Sequence, residues 1–292
     1  MRTRALAPAL TVVLVAGLAL TTPGCSKAKK ESIQMLNQGV RAFDRKAYDA
    51  AYGYFEQAVS LYPENAPAYY HMGLIDLYER DDAELALKRL LQANELSPGD
   101  RDVLYQLGRL KLERANDPSA ALEYLQQALA VDPNYAPAHY YRGLALRALD
   151  RPDDADAAFR EAVTIDPKYA RAFVALAAMY EDYEQEEAAL AVYKEGLKYN
   201  PGSPDLLNGE GVLLLKSGEV EEALERFRTV IGRDASRTDA LYNLAFANVQ
   251  LGKTKRAIDY LTKYIAAADP SNQEAIKTAR ALKNALSKEY YQ

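Results

Sequence analysis

Apolar side chains return every three to four positions along most of this 292-residue chain, with polar residues between them, as amphipathic helices require. The pattern itself repeats. Ala51, Ala86, Ala121, Ala155, Ala189, Ala223 and Ala257 stand 35, 35, 34, 34, 34 and 34 residues apart. Four residues after each comes a large side chain: Phe55, Leu90, Leu125, Phe159, Tyr193, Phe227 or Leu261. Three further on stand Ala58, Ala93, Ala128, Ala162, Gly196, Val230 and Tyr264, so each set forms one stripe of a helix and predicts its buried face. About a dozen residues upstream of each alanine lies a small residue, Gly39, Gly73, Gly108, Gly143, Ala177, Gly211 or Ala245, inside another helix-favouring run. Glycine there gives up about 1 kcal/mol against alanine, so its recurrence predicts a close approach between the two helices. Pro63, Pro98, Pro133, Pro167 and Pro201 close the first five units, because proline cannot continue a helix. The sixth has Ala235 instead, and in the seventh Pro270 arrives one residue late.

A period of this length implies one helix pair copied along the chain, each copy too small to bury its own apolar face. The small residue of the first helix, the alanine and large residue of the second, and the closing proline together resemble the tetratricopeptide repeat. The resemblance implies an all-α fold: a right-handed superhelical α-solenoid of seven repeats over 32–270, divided at about 32–65, 66–100, 101–135, 136–169, 170–203, 204–237 and 238–270. The family's tryptophan is replaced by Met35, Tyr69, Leu104, His139, Phe173, Leu207 and Leu241. Copies two and three carry one extra residue around Glu79 to Glu84 and Glu113 to Ser119, placed in turns, where insertion costs least. Residues 271–292 set Ile276, Ala279, Leu282, Leu286 and Tyr290 on one side of a helix and predict a cap for the open end of the stack.

The front of the chain differs. Arg2 and Arg4 precede a weakly polar run from Ala5 to Leu20, which over residues 1–24 reads as a secretory signal peptide. At about 16 residues the run is short for a membrane span, which needs roughly 20. Thr22, Pro23, Gly24 and Cys25 follow and resemble a bacterial lipobox, with Thr22 in the place usually held by leucine. The resemblance implies lipidation of Cys25, the only cysteine, and residues 25–31 as a short basic tether holding Lys27, Lys29 and Lys30. Fully extended, Ser26 to Glu31 would reach about 20 Å. The expected location is the bacterial envelope, lipid-anchored and facing the periplasm, on the outer membrane.

Residues 1–24 hold only two charges, both arginine, which leaves 34 basic against 41 acidic side chains and a net charge of −7. Phosphate neutralisation needs a basic stripe, so no nucleic-acid partner is expected. His71 and His139 occupy different positions in their repeats, and no metal-ligand spacing, phosphate loop or nucleophile elbow occurs. No cofactor, metal or catalytic residue is assigned, the repeats use nearly all of the chain, and the sequence assigns no oligomeric state.

In the resembled family the first helix of each unit lines a concave groove. Three residues before the small position stand Leu36, Tyr70, Tyr105, Tyr140, Val174, Asn208 and Tyr242. One residue beyond it come Val40, Leu74, Arg109, Leu144, Ala178, Val212 and Phe246, and three further Phe43, Leu77, Leu112, Arg147, Glu181, Leu215 and Val249. The resemblance therefore implies a protein-binding groove of Tyr70, Leu74, Tyr105, Arg109, Tyr140, Leu144, Arg147, Asn208, Tyr242 and Phe246. Tyrosine suits such a surface, with a large contact area and a polar tip; the same tyrosines could instead pack as core between repeats. The expected partner is a protein or peptide segment with apolar or aromatic anchors, since Leu36, Val40, Tyr70 and Leu74 do not supply the basic clamp some family members use for acidic tails. The layout is similar to that of type IV pilus pilotin lipoproteins and other envelope-assembly lipoproteins, implying a membrane-anchored scaffold. A non-catalytic subunit of an enzyme complex and a plain structural spacer are the alternatives.

Overall fold

In a computed structural model the described residues, 23–291, form fifteen α-helices. They are α1 (Pro23–Asp44), α2 (Tyr48–Leu61), α3 (Ala66–Tyr78), α4 (Ala83–Leu96), α5 (Arg101–Glu113), α6 (Pro118–Val131), α7 (Ala136–Ala148) and α8 (Pro152–Ile165). They continue as α9 (Ala170–Asp182), α10 (Glu186–Tyr199), α11 (Pro204–Lys216), α12 (Val220–Arg233), α13 (Thr238–Gln250), α14 (Thr254–Ala267) and α15 (Gln273–Tyr291). Two compact units divide the chain, one through Pro98 with α1–α4 and one from Gly99 with α5–α15. Most of the expected signal peptide lies outside the described residues.

Five of the seven helix pairs are locked by the same contact. The seven alanines of the beat are all 0 % exposed, and so are the large residues four positions on, apart from Tyr193 at 4 %. A Cβ added at Gly39, Gly108, Gly143 or Gly211 would stand 2.4–2.6 Å from the Phe55, Leu125, Phe159 or Phe227 side chain respectively. At Gly73 the nearest atom of Leu90 would be 3.0 Å away. The recurring glycine is thus the seat of the large residue of its own repeat. Tyr193 departs from this arrangement: its ring lies against Gly209 of the following repeat, and its hydroxyl donates to Glu181 at 2.7 Å.

The turns inside the pairs span three residues, except for 79–82 and 114–117, which span four and take up the two insertions. Each turn also holds one residue in the left-handed region: Lys46, Asp81, Asn116, Asp150, Glu184, Gly218 and Gly252. Only the last two are glycine. The sequence pattern hid this requirement, because asparagine and aspartate tolerate the conformation and lysine and glutamate adopt it under constraint.

Proline is only part of what ends the second helices. α12 stops at Arg233 with the same extended residue after it, Asp234 at φ −141° and ψ 100°, although Ala235 follows. The Asp234 carboxylate accepts from the Ser236 N–H at 2.9 Å, and Asp132, Asp166 and Asp269 do the same two residues on at 3.1, 2.9 and 2.8 Å. These turns stop the helix by offering the backbone another partner.

At the front, the short tether expected over 25–31 is helical. Residues 26–31 belong to α1, where six residues rise about 9 Å instead of about 20 Å. Lys29 lies over the Tyr62 ring at 5.2 Å, and Lys27 pairs with Glu31 at 3.9 Å. Ser32 is fully buried, donating to the Ala58 carbonyl at 2.8 Å and accepting from Asn65 at 2.8 Å, so α1 is fastened to α2 and α3. At the other end α15 buries Ile276, Ala279 and Leu286, as a cap should. Among the described residues no helix is long and apolar enough to cross a membrane.

Candidate protein-binding groove

In the first unit Tyr70 and Leu74 of α3 are half-buried, and the Tyr70 ring meets His71 edge-on at 5.3 Å. His71 stacks on Phe55 at 5.1 Å, and burial holds its pKa below the ordinary histidine value. Packing therefore absorbs this histidine. His139 is used similarly, with Nε2 2.8 Å from the Pro133 carbonyl oxygen.

The second unit carries most of the expected groove residues, and it divides them in two. On α11 and α13, Asn208, Tyr242 and Phe246 come together. Asn243 donates to the Asn208 side-chain oxygen at 3.0 Å, holding the two helices in register. Tyr242 is half-buried against Tyr264, with ring centroids 5.3 Å apart, and Phe246 is left 45 % exposed. Val212, Leu215, Tyr242 and Phe246 line a cavity of about 310 Å³. A second, of about 460 Å³, shares Tyr242 and Asn243 and extends to Tyr264 and α15. Open apolar concavity with a few amide groups is what an anchor side chain needs.

On α5, α7 and α9 the outcome differs. Tyr140 is not a groove residue: it is 8 % exposed, with its ring edge-on to Tyr141 at 5.1 Å and Tyr169 at 5.3 Å and near Phe159 at 6.1 Å. The tyrosine belongs to core because Phe159 and Tyr169 of its own repeat close over it. Tyr105 is half-buried, edge-on to Tyr135 at 5.2 Å and Tyr141 at 5.7 Å. Tyr141 is 1 % exposed and donates to Glu113 at 2.6 Å. Burial, then that bond to a carboxylate, pushes its phenol far above the ordinary range. Burial likewise lifts Tyr140, and it lifts Tyr169 to about 12.

Arginines edge this aromatic cluster. Arg101 lies 4.4 Å over Tyr135, Arg109 5.5 Å over Tyr141, and Arg171 5.6 Å over Tyr140. Arg109 pairs with Glu113 at 2.9 Å, Leu144 is half-buried, and Arg147 is exposed. Tyr135, Tyr141, Tyr169, Arg171 and Asn243 were missed by sequence reasoning. A signal existed: Asp-Pro-x-Tyr-Ala recurs at 132–136 and 166–170, and Tyr141 and Asn243 fall two residues before their small positions.

Stacked helix pairs with an open, partly aromatic inner face define an interaction scaffold. The chain belongs to the tetratricopeptide repeat family, whose model matches residues 26–279. Among curated proteins none matches significantly. Solved structures share the fold at low identity. A tetratricopeptide repeat protein from Parabacteroides merdae is 17 % identical, with a TM-score of 0.65 over 87 % of this chain and 99 % of the other. PilW, a widely conserved type IV pilus biogenesis factor, is 20 % identical with a TM-score of 0.61 over 69 % and 92 %. Yeast Tom70 is 19 % identical with a TM-score of 0.63 over 91 % of this chain, which spans only 56 % of Tom70's length.

Proposed function

We propose that the protein is a non-enzymatic, membrane-anchored scaffold of the bacterial envelope that holds a partner segment by apolar and aromatic anchors in the groove of its second unit. The observation that carries the binding role is Phe246, 45 % exposed at the mouth of the cavity it forms with Val212, Leu215 and Tyr242. A half-exposed aromatic ring beside an apolar hollow forfeits burial energy that a partner's side chain would recover.

The anchoring part rests on the sequence: the charged and apolar front, and Cys25 within a lipobox-like stretch. Because α1 begins at Pro23, a lipid on Cys25 would sit at the end of a helix fastened to the first repeat, with little slack between repeat and leaflet. PilW shares the fold and is a type IV pilus biogenesis factor, so assembly of an envelope machine is the first class of role to test.

A photo-crosslinking residue placed at Phe246 should trap a partner in cells, while the same residue at the exposed Glu225 of α12 should not. Equal trapping at both sites, or at neither, would refute the groove. Cys25→Ala should abolish lipidation and release the chain from the membrane fraction; unchanged processing and retention would remove the anchor from this account.

A further inference from the structure

The inner face of the second unit changes character along its length. Corresponding positions one residue beyond the small residue carry Arg109, Leu144, Ala178, Val212 and Phe246, so charge gives way to apolar surface. Arg147 on α7 and Arg171 on α9 are both exposed, and Arg171 lies 5.6 Å over the ring of Tyr140, which stands on α7 with Arg147. Among the described residues neither pairs with a carboxylate. That contrasts with Arg109 on Glu113 at 2.9 Å and Arg226 on Glu210 at 2.5 Å. Beyond α9 the face turns into the apolar hollow of Val212, Leu215 and Phe246, whose one lysine, Lys216, is occupied by Glu186 at 3.1 Å.

We propose that the second unit takes a bipartite protein segment, with clustered carboxylates meeting Arg147 and Arg171 and an apolar or aromatic anchor entering the hollow at Phe246. This rests on the groove reading above and adds the chemistry and polarity of the occupant. The chain is acidic as a whole, with 41 acidic against 36 basic residues, so an acidic segment is repelled elsewhere and accepted at this place. Two separated, chemically different contacts also fix the direction in which the segment lies, which a uniformly apolar groove cannot do.

Random 16-residue peptides displayed against the full chain, against Arg147→Ser with Arg171→Ser, and against Phe246→Ala provide the test. All three positions are exposed, so the variants should keep the parent's circular dichroism. Peptides selected on the parent should combine Asp or Glu clusters with a separate apolar or aromatic residue. They should lose about tenfold in affinity on the double arginine variant, the scale of two exposed charge pairs. Apolar peptides without an acidic excess, or equal affinity for the arginine variant, would overturn the inference and leave the groove standing. No selection above the input library, or selection unaffected by Phe246→Ala, would instead overturn the groove reading and this inference with it.

Discussion

Gly143→Ala should weaken the protein although helix propensity favours it. Propensity alone gains about 1 kcal/mol from the change. The added Cβ would stand 2.5, 2.6 and 2.9 Å from Cε1, Cδ1 and Cζ of Phe159, whereas carbons in contact sit about 3.5 Å apart or more, so the ring would have to move by about 1 Å. Phe159 is 0 % exposed and has no flexible end to yield, which places the change with overpacked cores at about 1–3 kcal/mol. The balance is a loss of about 1 kcal/mol. Gly53 in α2 is the control: nothing lies within 4 Å of its Cβ position, so Gly53→Ala should gain the full propensity term, about 1 kcal/mol. Gly73→Ala, whose nearest contact would be 3.0 Å, should fall between the two. Repeat arrays do not always unfold in one step, so native-state amide exchange of the affected helix pair is the suitable assay, with urea unfolding followed by circular dichroism because the chain has no tryptophan. If Gly143→Ala protects α7 and α8 as much as Gly53→Ala protects α2, close approach is not what requires the glycine.

Lys46 and Glu184 hold φ of 60° and 57°, so Lys46→Gly and Glu184→Gly should each raise stability by about 0.5–1 kcal/mol in the same assay, while Gly218→Ala and Gly252→Ala, at φ 88° and 65°, should lower it. Asp234→Ala should loosen residues 234–238 by about 1 kcal/mol, and Asp166→Ala should cost less because Pro167 still sets the turn; amide exchange at the two turns compares them. Burial raises the Tyr169 phenol from 10.0 to about 12 and raises Tyr140 and Tyr141 too, so the stability their neutral forms contribute is complete below pH 10 and is lost as the pH climbs towards 12. Urea midpoints across that window should fall for the parent, and Tyr169→Phe should flatten part of the fall.

The repeat was legible because its contacts are steric and recur in phase: each alanine of the beat is fully buried, and each of the five recurring glycines seats a ring or leucine. The two insertions were legible for the same reason, as a break of phase between fixed points. Other features were not. The left-handed turn residue passes unnoticed when five of seven copies are not glycine, and Asp132, Asp166 and Asp269 share the stop signal that the adjacent prolines seemed to carry alone, while Asp234 gives it beside an alanine. Tyr140 and Tyr141 show the limit at the site. They are neighbours about 100° apart on one helix, either could meet solvent, and both are buried because Tyr169, in the turn before α9, and Glu113 of α5 close over them. Periodicity finds the face of a helix but not what the next helix lays upon it.

That limit also says where function can be looked for. Positions the scaffold must fill are uniform, as the seven fully buried alanines are, whereas the position one beyond the small residue accepts arginine, leucine, alanine, valine and phenylalanine within the second unit alone. The stack therefore makes no demand for a phenylalanine at 246. A side chain that the packing does not require, left 45 % exposed at a cost of part of the roughly 1.5–3 kcal/mol its burial would return, is what the proposed partner would cover. Arg147 and Arg171 meet the same criterion with charge in place of area, since the equivalent positions elsewhere in the unit are filled by Leu112, Glu181, Leu215 and Val249, or by Asp102, Pro137, Asp205 and Asp239, without loss of the fold.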